Sequence, residues 1–125
     1  MAGWKHFNEI AAWQQARELK KVAYGFLRKS RFRHEYKFKD QLKDAARSGP
    51  ANIAEGFGRH GNAEFARFVE IAKGSEAEVL NHFIDAHDEG LISDSEFQAA
   101  EHAAMKAMKT AVGLIRHLRN NKPPV

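Results

Sequence analysis

A chain of 125 residues, 43% of them hydrophobic, can bury a core, and one domain over residues 1–125 is the expectation. The absence of cysteine excludes a disulfide scaffold and a thiolate metal site. With a net charge of +4, no signal-type apolar run in the opening MAGWKHFNEIAAW, and nothing approaching the ~20 apolar residues of a membrane span, a cytoplasmic protein without a membrane partner is expected.

Strand signals are nearly absent, and helical periodicity occurs four times. The first helix is expected over about residues 8–29, with Ala12, Trp13, Ala16, Leu19, Ala23, Phe26 and Leu27 on its core side. Arg17, Lys21, Tyr24 and Arg28 share a neighbouring stripe. Such a stripe can grip a phosphate backbone and stack a base, or its tyrosine can pack at an interface. KSRFRHEYKF follows, dense in cations and without a period, and reads as an exposed connector.

The second helix is expected from residue 35 or 36 to 59, with Phe38, Leu42, Ala45, Ala46, Gly49, Ile53 and Phe57 inward. Its apolar spacing runs straight through Pro50. The segment therefore reads as one helix bent at Pro50, although an interior proline costs ~3 kcal/mol. Gly58 and Gly61 suit its end, and Asn62 suits the N-cap of the next helix.

The third helix is expected over residues 63–89, with Phe65, Phe68, Ala72, Val79, Phe83 and Ala86 inward and Gly90 as its stop. The fourth opens on SDSE, where Ser93 and Glu96 stand at capping-box spacing. Phe97, Ala100, Ala104, Ala107, Met108, Ala111, Leu114, Ile115 and Leu118 form its broad apolar face. Met105, Lys109, Val112 and Arg116 lie opposite, a hint of a subunit contact. NNKPPV reads as a frayed tail from about residue 120. Four long helices with short connections predict an all-α, up-down-up-down antiparallel four-helix bundle.

Two polar stripes flank the junction of the second and third helices. Gln41, Ser48, Asn52, Glu55 and Arg59 share one, and Glu64, Arg67, Ser75, Glu78 and His82 share the other. A hydrophilic seam is expected, with Arg59 pairing with Glu64, and Asn52 and Glu55 meeting Ser75 and Glu78. Buried polar groups must satisfy one another, so this seam sets register rather than chemistry.

Catalytic constellations are not found. No G-x-S-x-G elbow occurs, and GFGRHG lacks the Lys-Ser/Thr ending and the preceding strand of a phosphate loop. None of the seven histidines follows a glutamate by three residues, as a di-iron bundle requires. Glu78 and His82, four apart, offer half a metal site at most. No cofactor is expected.

Charge is segregated along the chain. Residues 1–47 carry 12 basic and 5 acidic side chains, residues 48–104 carry 3 and 11, and residues 105–125 carry 5 and none. The first and last helices could form one positive surface for nucleic acid, or that surface could meet the acidic middle of another copy. Candidate phosphate contacts are Arg17, Lys20, Lys21, Arg28, Lys29, Arg31, Arg33, Lys39, Lys43, Lys109, Arg116 and Arg119, with Tyr24 and Phe32 interleaved.

The run QLKDAARSGPANIAEGFGRHGNAEFARFVEIAKGSEAEV, residues 41–79, resembles the signature of the bacterial 23S rRNA-intervening-sequence proteins. The family pattern Pro-Ala-Asn-Ile-Ala-Glu-Gly is met by Pro50 to Gly56, its Glu-Phe by Glu64 and Phe65, and its Gly-Ser with a following Glu by Gly74, Ser75 and Glu78. The similarity extends over nearly the whole chain, including Trp13 and EGLISDSEF. Gly49 departs from it, standing where a bulky aliphatic is usual, and Arg47 replaces a usually apolar residue. The resemblance implies antiparallel helices, a homopentamer and no enzymatic activity. It also implies kinship with the accessory variability proteins of diversity-generating retroelements, which bind nucleic acid and a reverse transcriptase. Asn52, Glu55, Gly56, Glu64, Ser75 and Glu78 inherit the motif as determinants of fold or assembly.

Three functions remain open on the sequence. One is a non-enzymatic homo-oligomer binding RNA or DNA through its basic surface. Another is a scaffold for a partner protein such as a nucleic-acid enzyme. The third is a metal-dependent hydrolase of the bundle class.

Overall fold

The computed structural model describes residues 3–121. Among these residues four α-helices carry the fold and no strand occurs: α1 (Ala11–Leu27), α2 (Tyr36–Phe57), α3 (Asn62–Asp88) and α4 (Asp94–Asn120). Short 3₁₀ turns at Phe7–Glu9 and Ser30–Phe32 precede α1 and α2. Each helix packs on its neighbour in sequence and α4 closes back on α1, giving the antiparallel up-and-down bundle. No helix among the described residues is long and apolar enough to cross a membrane.

The caps explain where the helices stop. α3 ends in a Schellman motif: the Leu91 N–H donates to the Ala86 carbonyl at 2.9 Å and the Gly90 N–H to the His87 carbonyl at 3.1 Å. Gly90 adopts φ 75, the left-handed region that glycine enters without steric cost. α4 then starts on the expected capping box. The Glu96 N–H donates to Ser93 Oγ at 3.1 Å, and the Ser93 N–H donates to Glu96 Oε1 at 2.8 Å.

The structure corrects three local expectations. α1 begins at Ala11 rather than Asn8, because Asn8 lies in the 3₁₀ turn and the His6 N–H is held by Glu9 Oε2 at 3.1 Å. Asn62 is the first residue of α3, not its cap. Gly61 takes the cap position at φ 85, and the Asn62 amide instead donates to the Asn121 carbonyl, tying the start of α3 to the end of α4. Asn120 is still helical, and residues 122–125 of the expected tail lie outside the described residues.

The connector is not wholly exposed either. Phe32 is 0% exposed, stacked between Phe26 at 6.5 Å and Phe38 at 5.8 Å. Its cationic neighbours Arg31 and Arg33 stay exposed while the phenyl plugs the end of the bundle. Burying such a ring is worth ~1.5–3 kcal/mol.

α2 runs unbroken through Pro50, which is itself buried. Below it α2 and α3 approach closely. A Cβ on Gly56 would lie 2.7 Å from the Phe68 Cβ and 2.8 Å from Phe65 Cδ1. The core divides into two apolar clusters. One gathers Leu19, Phe26, Phe32, Leu42, Phe83 and Ile92. The other gathers Ile10, Ile53, Phe65, Val69, Leu114 and Leu118. Gly49 and Glu76 belong to neither cluster, and both are buried between them in sequence.

Candidate nucleic-acid interface and polar seam

The twelve cations proposed from the sequence do not form one surface. α1 and α2 bring Lys20, Arg28, Lys39 and Lys43 around the Tyr24 ring. The ammonium of Lys20 stands 6.0 Å from the ring centroid and that of Lys43 stands 5.8 Å from it. Tyr24, Leu27, Arg28, Lys39, Asp40 and Lys43 line a groove of about 340 Å³. At one rim Lys39 sits 5.6 Å from the exposed ring of Tyr36. Helical spacing builds this arrangement: Lys20, Tyr24 and Arg28 are successive fourth residues of α1, as Lys39 and Lys43 are of α2. Lysines beside an aromatic face gain ~0.5–1 kcal/mol each at an exposed site and hold the ring ready for stacking.

The remaining cations have other settings. Arg17 lies over the Trp13 ring at 5.7 Å, and Lys21 pairs with Glu18 at 3.3 Å. Lys29 is exposed beyond the end of α1. Arg33 donates to its neighbour His34. Arg31 is bound to Glu96 of α4, a tie between connector and bundle. The Ser93 N–H and then Arg31 hold the Glu96 carboxyl below its usual range. Lys109, Arg116 and Arg119 lie on the α3 side of α4, where Arg119 meets Glu70 at 3.1 Å and all three share grooves with Lys73. The single positive surface of first and last helices is thus corrected to two patches, because the basic stripe of α4 turns toward α3 rather than α1. Phe32, buried at the bundle end, is withdrawn as a stacking residue.

The polar seam exists with different partners. Ser48 and Ser75 share a hydrogen bond at 2.7 Å across α2 and α3. Ser75 Oγ spends its proton on the Ile71 carbonyl at 3.2 Å, so Ser48 is the donor between the two hydroxyls. The Asn52 amide in turn donates to Ser48 Oγ at 2.9 Å and to the Ser48 carbonyl at 2.8 Å. Both hydroxyl hydrogens of the Ser48–Ser75 pair have an acceptor.

The charged members pair within their own helices instead of across. Arg59 bonds Glu55 at 2.7 Å, not Glu64. Glu64 bonds Arg67 at 2.9 Å, and that bond, with the Arg67 charge, holds its carboxyl below the usual range. Glu78 lies 3.6 Å from His82 on its own helix, and Asn52 bonds Ser48 instead. Pairs three or four residues apart form because the helix already holds them together, with no chain to order across a gap. Only Arg59, just past the end of α2, reaches across, lying 4.9 Å from the Phe68 ring of α3, which Arg67 of the same helix flanks at 5.2 Å. Among the described residues no group of three or more His, Asp or Glu could hold a metal ion.

One residue escaped the sequence reading. The inward positions of α3 are Phe65, Val69, Ala72, Glu76, Val79, Phe83 and Ala86, at steps of four and three, so Glu76 occupies a core position. It is 1% exposed and neither carboxyl oxygen has a hydrogen-bond partner. Burial alone pushes its pKa up to about 8, which leaves it mostly neutral at pH 7. The signal was present: the expected stripe jumped from Ala72 to Val79, and a helix cannot skip a turn.

The family model of the 23S rRNA-intervening sequence protein matches residues 8–113. The chain belongs to this family. The match spans the groove, the seam and most of α4. No curated protein matches the chain.

Proposed function

We propose that this 23S rRNA-intervening sequence protein is a non-catalytic, homo-oligomeric bundle that holds RNA or DNA along the α1–α2 groove. The observation that carries the reading is Tyr24, flanked by the ammonium groups of Lys20 and Lys43 with Arg28 and Lys39 on the same groove. Cations track the phosphates and the phenol ring supplies a face on which any base can stack. Assembly into several copies, five on the family resemblance, would array such grooves and multiply a weak contact. The non-catalytic part is supported by the seam, whose hydroxyls and amide are spent on one another.

Gel shifts with single-stranded RNA and duplex DNA at low salt test this reading. Binding should weaken linearly in log salt, and Lys20→Glu/Lys43→Glu should flatten the slope by about two phosphate contacts. Tyr24→Ala should weaken single-strand binding by ~1–3 kcal/mol. Unshifted probes at low salt would refute it. A scaffold for a partner protein would use the exposed Met105 and Val112 instead. That alternative gains if nuclease-treated protein retains a stoichiometric partner while every probe stays free.

A further inference from the structure

α3 and α4 leave a trough on their outer side, made of two grooves that run into each other. One, of about 800 Å³, has Met105, Met108 and Val112 among its walls. The next, of about 320 Å³, lies toward the end of α4 beside Ile115. Lys73 and Val112 line both, so the trough is continuous from His102 to Asn120. At 1.5 Å per residue that is ~27 Å, the length of a helix of about 18 residues. Its apolar floor is open to solvent, with Met105 54% exposed and Val112 38%.

The rim is basic. Lys73 stands on α3, and Lys106, Lys109 and Arg116 stand on α4. Among the described residues these three cations of α4 have no ion-pair partner. Glu70 is the one acid among the residues that line the trough, and it is held by Lys73 at 3.4 Å and Arg119 at 3.1 Å. Glu101, one turn before Met105, lies outside the lining, where the basic rim ends.

This chemistry selects the occupant. The same strip of a second copy would set these cations against their own kind. A nucleic acid would meet the cations but find no Phe, Tyr or Trp on which to stack a base, and would leave the methionines wet. An acyl chain in so open a trough would keep one side in water. A helix brings its own backing: one face covers the floor and the rest of it shields that face. We propose that the trough receives an acidic amphipathic α-helix of a partner protein. Its apolar residues, spaced by three, four and seven, cover Met105 and Val112, while flanking Asp or Glu residues meet Lys73 on α3 and Lys106 and Lys109 on α4. Thioether side chains repack readily and suit such a contact. The contact uses no residue of the α1–α2 groove, so it and the nucleic-acid reading can fail separately.

Fluorescence anisotropy of labelled synthetic peptides on the full, nuclease-treated chain tests it. The probe is a helix of about 18 residues with leucines at that spacing and glutamates on both flanks. Its twin carries lysine for every glutamate, and a scrambled peptide keeps the composition without the stripe. The acidic helix should bind, and the other two at least about tenfold more weakly. Lys106→Glu/Lys109→Glu should reverse the preference so that the basic twin binds, a gain that also shows the variant to be folded. Met105→Gln should weaken the acidic helix about tenfold. Lys20→Glu/Lys43→Glu should leave its affinity unchanged. The trough is overturned if no peptide binds, if the scrambled peptide binds equally, or if the charge exchange leaves the preference as it was. Loss of the acidic helix in Lys20→Glu/Lys43→Glu overturns it too, by placing the peptide on the other groove. So does an RNA oligonucleotide that Lys106→Glu/Lys109→Glu releases and Lys20→Glu/Lys43→Glu retains, which gives the trough to nucleic acid.

Discussion

Glu76 of α3 faces Gly49 of α2 in the buried middle of the bundle. A Cβ built on Gly49 would lie 3.6 Å from both Cγ and Oε2 of Glu76, and 3.6 Å from the Cβ of Ala16. Gly49 carries no side chain, and this leaves room on α2 for a carboxyl group from α3. The facing residues on α1 and α2, Ala16 and Gly49, carry no titratable group, and the buried face of α4 along this stretch is Ala104, Ala107 and Ala111.

Stability should therefore fall as pH rises. In the unfolded chain Glu76 loses its proton near 4.5, whereas in the folded chain it keeps it to about 8. Below pH 4.5 the residue carries no penalty. Between these values the native state alone binds the proton, and stability drops by ~1.4 kcal/mol per pH unit. Above pH 8 the penalty is constant, on the order of 4–5 kcal/mol. Glu76→Leu should abolish this slope and stabilise the protein most at alkaline pH. Urea midpoints of both proteins from pH 5 to 9 give the comparison, and parallel curves would refute it.

The two buried glycines of α2 should respond to alanine in opposite ways. At Gly49 the new Cβ meets its neighbours at ordinary contact distance, so Gly49→Ala should gain ~0.5–1 kcal/mol from helix propensity. At Gly56 the new Cβ would stand 2.7 Å from the Phe68 Cβ, an atom that moves only with its backbone. Gly56→Ala should cost ~1–3 kcal/mol through overpacking. Thermal unfolding of the pair gives the sign of each.

Phe32→Ala should destabilise the bundle by ~3–5 kcal/mol, as a buried phenyl leaving a cavity does. Its loss unstacks both Phe26 and Phe38 and opens the α1–α2 end. Arg33→Ala in the same connector, exposed, should stay within ~0.5 kcal/mol of wild type. Equal effects in denaturant titrations would mean that the connector does not plug the core.

Ser48→Ala and Ser75→Ala should each cost ~1 kcal/mol, and the double variant less than their sum. Ser48→Ala removes the acceptor of Asn52 as well as the donor to Ser75, so it should be the costlier of the two. A double-mutant cycle with zero coupling would show that the seam is not one chain of hydrogen bonds.

The number of helices, their order and most of their limits were legible in the sequence, as was the motif that shows the family. These features are local. Periodicity, the capping box of Ser93 with Glu96 and the stop at Gly90 depend on residues within one or two turns of one another. The tertiary structure decided which polar groups meet. Adjacent helical residues point about 100° apart, so one step of phase decides whether Glu76 or its neighbour Ser75 enters the core. Arg59 chose Glu55 over Glu64 because a pair on one helix needs no second element to order it. Phe32 went inward among cations because the gap it fills exists only once α1 and α2 have docked. Two basic patches replaced one for the same reason: the net charge of a segment is set by its residues, but the face that presents it is set by the packing of its neighbours.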